Sequence, residues 1–148
     1  MFSIGFINDP LIEINLSEER VGLIALGNVE ERFIAHTLNW SEQEYSNHWK
    51  RALFRVLASE PSALVTDMLT PTQSSHLVWW PIWIIDNEVV FHNQLLFFGQ
   101  HKIRGPLIDP EQLYGLIGEY TTHDDEGTPL SEWRVPVRDV ETFLGRAA

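Results

Sequence analysis

The sequence predicts an α+β fold: a single domain over residues 1–148, with two mainly antiparallel β-sheets and intervening helices. Three observations support this prediction. The chain has 148 residues, 44% of them hydrophobic and 21% charged, which is typical of one globular domain with one core. Short apolar or alternating segments are separated by turn-forming clusters, as in antiparallel sheets. Helical patterns stand apart from these strands, and such segregation is typical of α+β domains.

The first forty residues predict strands and turns only. Four strands are expected, at residues 3–7, 11–16, 21–26 and 32–38, because each segment is apolar or alternates apolar with polar residues. The connections between them contain the Asn, Asp, Pro, Ser and Gly residues that favour turns.

A helix is predicted from about residue 42 to residue 59. Ser41 and Glu44 form a capping box, in which each side chain hydrogen-bonds to the backbone N–H of the other residue. Trp40 and Tyr45 occupy the two positions of a hydrophobic staple. The apolar face recurs at spacings of three and four residues and consists of Tyr45, Trp49, Ala52, Leu53, Val56 and Leu57. The helix is expected to end before Pro61, because a residue that precedes proline avoids helical geometry.

Three strands are predicted next, at residues 63–69, 76–85 and 89–98, and the last two form a hairpin. Pro81 has no N–H to donate to a sheet, so we expect it at an edge or a bulge. The apolar face of the helix at residues 42–59 and that of the strand at residues 76–85 must both be covered by other side chains, and they can cover each other. We therefore expect Trp49, together with Trp79 or Trp83, to lie in the core.

A second helix is predicted to start at Asp109 and Pro110, because an acidic N-cap followed by proline is typical of a helix start. Its apolar face is predicted to contain Leu113, Leu116, Ile117 and Tyr120. A polar loop at residues 121–129 leads to a strand at residues 131–137. A short last helix carries Val140, Phe143 and Leu144 and ends at Gly145.

The charge of the chain is its most informative bulk property. Twenty-one acidic residues oppose ten basic ones, which gives a net charge of −11 and a pI near 4.8. Such a field repels phosphate backbones and anionic membranes and attracts cationic surfaces. A basic protein partner is therefore favoured over nucleic acid or a membrane. The alternative interpretation is that the acidic residues serve solubility alone.

The sequence also predicts where the protein resides. It has no cysteine, which excludes disulfides and thiolate metal sites and suits a reducing cytosol. The N-terminus lacks a basic region ahead of its apolar residues, so a signal peptide is not expected. The longest apolar run, at residues 77–85, contains Pro81 and is too short to span a bilayer. These features predict a cytoplasmic protein.

Motifs of known catalytic chemistry are absent from the sequence. His76 and His92 could face each other across a hairpin, but without a third metal ligand a pair of ordinary strand histidines is favoured. His123 precedes three acidic residues in a turn-rich loop, where a solvated loop is favoured over an acid–base pair. The aromatic residues from Trp79 to Trp83 favour a core over a base-stacking platform, since such a platform usually accompanies a basic groove. The sequence therefore predicts no catalytic residues, metal, cofactor or small-molecule substrate.

Several spaced motifs resemble those of contact-dependent growth inhibition (CDI) immunity proteins. They are residues 45–53 with 62–66, residues 79–93, and TTHDDEG at residues 121–127 followed by SEW at residues 131–133. The subgroup that the chain resembles has a fold similar to Whirly single-stranded DNA-binding proteins. The resemblance implies a cytosolic, non-enzymatic antidote that binds the C-terminal toxin domain of its own cell-surface effector. In that subgroup the toxin is a ribonuclease directed at ribosomal RNA.

Two acidic turns are the predicted contacts with such a toxin. Turns lie at the surface and often carry binding groups. The hypothesis names Asp86 and Glu88 in the hairpin, and Asp124, Asp125 and Glu126 in the polar loop. Two alternative functions remain open at this point: a Whirly-like nucleic-acid-binding protein, and a hydrolase that uses His123 with neighbouring carboxylates.

Overall fold

The computed structural model describes residues 1–106 and 108–145, and its first sheet is formed by the N-terminal part of the chain. The strands are β1 (Phe2–Ile7), β2 (Glu19–Leu26) and β3 (Val29–His36). They are antiparallel and lie in the order β1-β2-β3. Gly27 stands at the turn between β2 and β3 with a φ of +68°, a conformation that favours glycine.

The second sheet has five antiparallel strands. They are β4 (Ser62–Asp67), β5 (His76–Ile85), β6 (Glu88–His92), β7 (Gln94–Phe97) and β8 (Glu132–Pro136). Four of them lie in the order β4-β5-β6-β8, and β7 pairs with β5. The long strand β5 pairs with β6 along its second half and with β7 along its first half.

Three α-helices lie within the described residues: α1 (Glu42–Leu57), α2 (Pro110–Leu113) and α3 (Val137–Phe143). The capping box of α1 is present, because Glu44 N donates to Ser41 Oγ and Ser41 N donates to Glu44 Oε1, each at 3.2 Å. The rings of Trp40 and Tyr45 pack edge to face 5.1 Å apart, as the staple predicts. The α+β class with two antiparallel sheets is thus confirmed.

One continuous hydrophobic core contains side chains from both sheets and from all three helices. Trp49 of α1 is 1% exposed, and its Nε1 donates to the carbonyl of Val65 at 2.7 Å. Phe2 of β1 stacks on Phe91 of β6 at 5.4 Å, which joins the two sheets. Trp79 is also buried. The predicted core positions of Trp49 and Trp79 are confirmed.

The predicted strand at residues 11–16 is wrong, because this segment is a loop between β1 and β2. Its backbone groups bond locally instead of in a ladder. Leu11 N donates to Asp9 Oδ1 at 3.0 Å, and Asn15 N donates to Glu19 Oε1 at 2.9 Å. These side-chain acceptors compete with strand pairing, as Asp and Glu in turns often do.

The second helix is much shorter than predicted. It makes one α-helical turn and then a single 3₁₀ turn at Tyr114–Leu116. Gly115 and Gly118 interrupt the apolar pattern, and glycine is costly in a helix interior. Ile117 and Tyr120 are consequently outside any helix, although Leu113 is buried as predicted.

The predicted strand at residues 89–98 is interrupted between β6 and β7, and Pro81 explains the interruption. The register pairs Ile82 with Phe91 and Trp79 with Gln94, so Pro81 lies opposite the break. Proline donates no hydrogen bond there. The expectation of an edge or a bulge at Pro81 is wrong, because β5 is a central strand and its register is the same on both sides of the break. His76 pairs with Phe97, so His76 and His92 do not face each other.

Candidate functional site

The first predicted contact is the hairpin turn between β5 and β6. Asp86 and Asn87 have φ values of +52° and +63°, which define a two-residue turn of type I′. Asp86 is exposed. Glu88 begins β6, and one of its oxygens lies 3.5 Å from Arg134 Nη1, so its charge is partly neutralised.

The second predicted contact is the acidic loop, defined as residues 121–130, and residues 121–129 are all exposed. Asp124 organises it, because its Oδ1 accepts from the N–H groups of Glu126 and Thr128, each at 2.9 Å. Within the described residues, the carboxylates of Asp125 and Glu126 make no hydrogen bond or ion pair. The loop therefore presents two free negative charges on a fixed backbone.

The two acidic turns lie at opposite ends of the β6–β8 pair. Glu88 pairs with Pro136 at one end, and His92 pairs with Glu132 at the other. Four residue steps separate these pairs, a distance of about 13 Å. The structure does not bring the five predicted residues into one cluster. It places them on either side of a polar network on the same strands.

Glu132 is the centre of this polar network. Its Oε1 accepts from the Tyr120 hydroxyl at 2.7 Å and lies 3.0 Å from His92 Nε2. Its Oε2 accepts from Arg134 Nε at 3.1 Å. Arg134 also donates to the Tyr120 oxygen at 2.8 Å, so each member of the network contacts at least one other. The network joins the segment before the acidic loop to β6 and β8.

The electrostatics of the network favour its hydrogen-bonded form. The hydrogen bond to Glu132 raises the pKa of Tyr120 above its ordinary value, and burial adds to this effect. Burial alone raises the pKa of Glu132, but hydrogen bonds from Tyr120, His92 and Arg134 outweigh it and hold that pKa below its usual range. The hydrogen bonds that Arg134 donates to Glu132 and Tyr120 raise the pKa of Arg134 above its ordinary value. At neutral pH a neutral tyrosine and a charged arginine thus contact a carboxylate.

Trp83 makes a second set of contacts with the segment that precedes the acidic loop. Its Nε1 donates to the Gly118 carbonyl at 3.2 Å, and its ring lies 5.8 Å from Tyr120 and 4.7 Å from His92. Trp83 is thus partly buried beside the network, while Trp79 is the more deeply buried of the two predicted tryptophans.

The network was not predicted from the sequence, although Glu132 belongs to the SEW motif. Strand alternation alone places Glu132 and Arg134 on one face of β8. The sequence alone does not give the register of β6 against β8. This register places His92 opposite Glu132, which lies forty residues later in the chain.

The residues considered for chemistry are not assembled into a catalytic or metal centre in the part of the chain that is described. His123 lies in the exposed loop with its Nδ1 2.8 Å from Thr122 Oγ1. Over residues 1–106 and 108–145, no group of three His, Asp or Glu side chains has a geometry suited to a metal ion. No helix in these ranges is long and apolar enough to cross a membrane.

The fold and the surface together define a small acidic α+β protein that presents part of its negative charge on exposed turns. Comparison with known proteins gives the family. The family model described as "CdiI N-terminal domain" matches residues 35–143, and the chain belongs to this family of CdiI immunity proteins.

Similarity to a protein of known identity and to a solved structure supports this assignment. The chain is 27% identical to the immunity protein CdiI of Enterobacter cloacae over 121 residues, 81% of each chain. It is also similar to a chain in the structure of the CdiA-CT/CdiI toxin and immunity complex from Enterobacter cloacae, with a TM-score of 0.81 and 25% sequence identity. That similarity covers 98% of this chain and 97% of the other.

Proposed function

We propose that this immunity protein neutralises the C-terminal toxin domain of its cognate CDI effector by occupying the toxin's cationic surface, without catalysis. The observation that carries the proposal is the similarity, over nearly the whole chain, to a chain in the structure of a CdiA-CT/CdiI toxin and immunity complex. Residues 1–148 act as one immunity domain in this proposal, which the continuous core supports.

The charge of the chain supplies a physical reason for this mode of inhibition. A ribonuclease directed at ribosomal RNA, the toxin activity we propose, needs a cationic surface to bind its substrate. A protein with a net charge of −11 is attracted to that surface and competes with RNA for it. The same field disfavours nucleic-acid binding, so the Whirly-like nucleic-acid-binding alternative is not favoured. Likeness to the Whirly fold stays a prediction.

The geometry ranks the five predicted contact residues. Asp86, Asp125 and Glu126 are the strongest candidates, because they are exposed and, within the described residues, no basic side chain pairs with their carboxylates. Glu88 already contacts Arg134, and Asp124 already accepts a hydrogen bond from the backbone of its own loop. We propose that at least one of the two acidic turns contacts cationic residues of the toxin.

The cytoplasm is the proposed location, since an antidote must meet the toxin where the toxin acts. The experiment that tests the function is co-expression of this chain with the toxin domain of the effector encoded beside it. Growth restored by this chain, but not by an immunity protein of another effector, is the expected result. Growth arrest at equal expression of both proteins would contradict the proposal.

A further inference from the structure

The loop between β1 and β2, residues 8–18, carries aliphatic side chains that the fold leaves in solvent. Leu11 is 92% exposed and Leu16 is 71% exposed. Two large aliphatic residues in one short loop contribute little to the core in these positions. Exposed apolar groups rimmed by polar residues mark interaction surfaces in soluble proteins.

A hollow of about 850 Å³ lies beside this loop. Its apolar lining includes Phe6, Ile12, Ile14 and Leu16, and its charged lining includes Asp9, Glu13, Glu42 and Arg20, of which Arg20 pairs with Glu42. An apolar floor with a charged rim is the usual anatomy of a protein–protein interface. The size of the hollow suits inserted side chains of a partner.

The loop has a defined shape although it has no regular secondary structure. The Arg20 guanidinium donates to the Leu16 carbonyl and contacts Glu42 at 3.2 Å. Asp9 pairs with Arg32 at 2.8 Å. A surface that is ordered before binding loses less conformational entropy when a partner docks.

The acidic residues of the β1–β2 loop favour a cationic partner. Residues 1–19 contain no lysine or arginine. Within the described residues, Glu13 and Glu18 have no hydrogen-bonding or ion-pair partner for their carboxylates. They are therefore available to basic groups of a docked protein.

A second exposed apolar patch provides a contrast. Leu95 and Phe97 of β7 are 49% and 38% exposed, but His101, Lys102 and Arg104 follow closely in the chain and are exposed. A basic partner is disfavoured beside these bases. The β1–β2 loop combines apolar exposure with unpaired acids, whereas the β7 patch does not.

We infer that the β1–β2 loop and its hollow form a docking surface for the toxin domain, separate from the two acidic turns. This inference rests on the proposed function. The loop also precedes residues 35–143, the region that the family model matches.

The test measures the affinity of the purified chain for its cognate toxin domain. The variant Leu11→Ala/Leu16→Ala is expected to bind at least about tenfold more weakly, at an unchanged melting temperature, because both side chains are exposed. The matched control Leu95→Ala is expected to bind like the parent. Binding of the loop variant within about twofold of the parent would overturn the inference.

A second measurement needs no substitution. Amide hydrogen exchange at residues 11–16 is expected to slow when the toxin is added, and unchanged exchange there would contradict the inference. A parent chain that binds no toxin would refute the proposed function itself, and the docking surface with it. Toxin binding that protects only residues 85–88 and 121–130 would leave the function intact and refute the loop.

Discussion

The Tyr120 hydroxyl donates a 2.7 Å hydrogen bond to Glu132, twelve residues later in the chain. This bond closes the acidic loop at its base, because Tyr120 precedes the loop and Glu132 follows it. The two residues therefore fix the position from which Asp125 and Glu126 are presented.

Replacement Tyr120→Phe removes this hydroxyl and is expected to lower the free energy of unfolding by about 0.5–1.5 kcal/mol, the usual net contribution of an intramolecular hydrogen bond. Urea denaturation measures the effect. Tyr114→Phe is a comparison for loss of a buried hydroxyl, which lies 3.5 Å from the Ala63 carbonyl and also hydrogen-bonds to Ser62. A free energy of unfolding for Tyr120→Phe equal to that of the parent would show that the bond to Glu132 adds nothing to stability.

Replacement Trp49→Ala should lower the free energy of unfolding by about 3–5 kcal/mol, because it leaves a cavity between α1 and β4 and removes a buried hydrogen bond. Trp49→Phe fills part of that cavity and should lose less. A thermal melt of the alanine variant that overlays the parent curve would exclude Trp49 from the core.

The burial of His48 makes the free energy of unfolding depend on pH. Burial lowers the pKa of this histidine to about 3, and its Nε2 accepts from Val65 N at 2.8 Å. The unfolded chain takes up this proton near pH 6.5, whereas the folded chain does not. The stabilising contribution is therefore complete above about pH 6.5 and declines as the pH falls toward 3, by up to about 1.4 kcal/mol per unit.

Urea denaturation between pH 7.5 and pH 4.5 checks this prediction. His48→Gln keeps a hydrogen-bond acceptor for Val65 but cannot take up a proton. The variant should show a smaller decline in stability with acid than the parent. Identical pH profiles of parent and variant would assign the acid sensitivity to other groups.

Neutralising the acidic turns should slow association with the toxin. The variant Asp125→Asn/Glu126→Gln removes two free charges, and Asp86→Asn/Glu88→Gln removes those of the hairpin. A rim charge mainly affects the association rate at low salt, while loss of a desolvated pair costs about 2–5 kcal/mol and speeds dissociation. The change is measured by binding kinetics at low and high salt.

The control for this experiment is Asp124→Asn, since an amide oxygen still accepts the backbone hydrogen bonds that shape the loop. It should bind more like the parent than the double variant of the same loop does. Parent-like binding by both turn variants at low salt would place the contact surface elsewhere.

Local signals predicted the parts of the structure that local interactions determine. The capping box of Ser41 and Glu44 and the Asp86–Asn87 turn depend on residues close in sequence, and both are present. The loop at residues 11–16 has a strand-like pattern, but Asp9 and Glu19 accept hydrogen bonds from its backbone N–H groups in place of a partner strand. The His92–Glu132 contact requires the register of β6 against β8, which no short sequence window contains.

The most direct test of the central claim is a titration of a fixed amount of toxin domain with the purified immunity protein, with toxin activity as the measured quantity. Inhibition by occupancy predicts that activity falls in proportion to added protein, reaches zero at a sharp equivalence point, and needs no metal or cofactor. Toxin activity that continues to fall with time at substoichiometric immunity protein would indicate catalysis and would contradict the account.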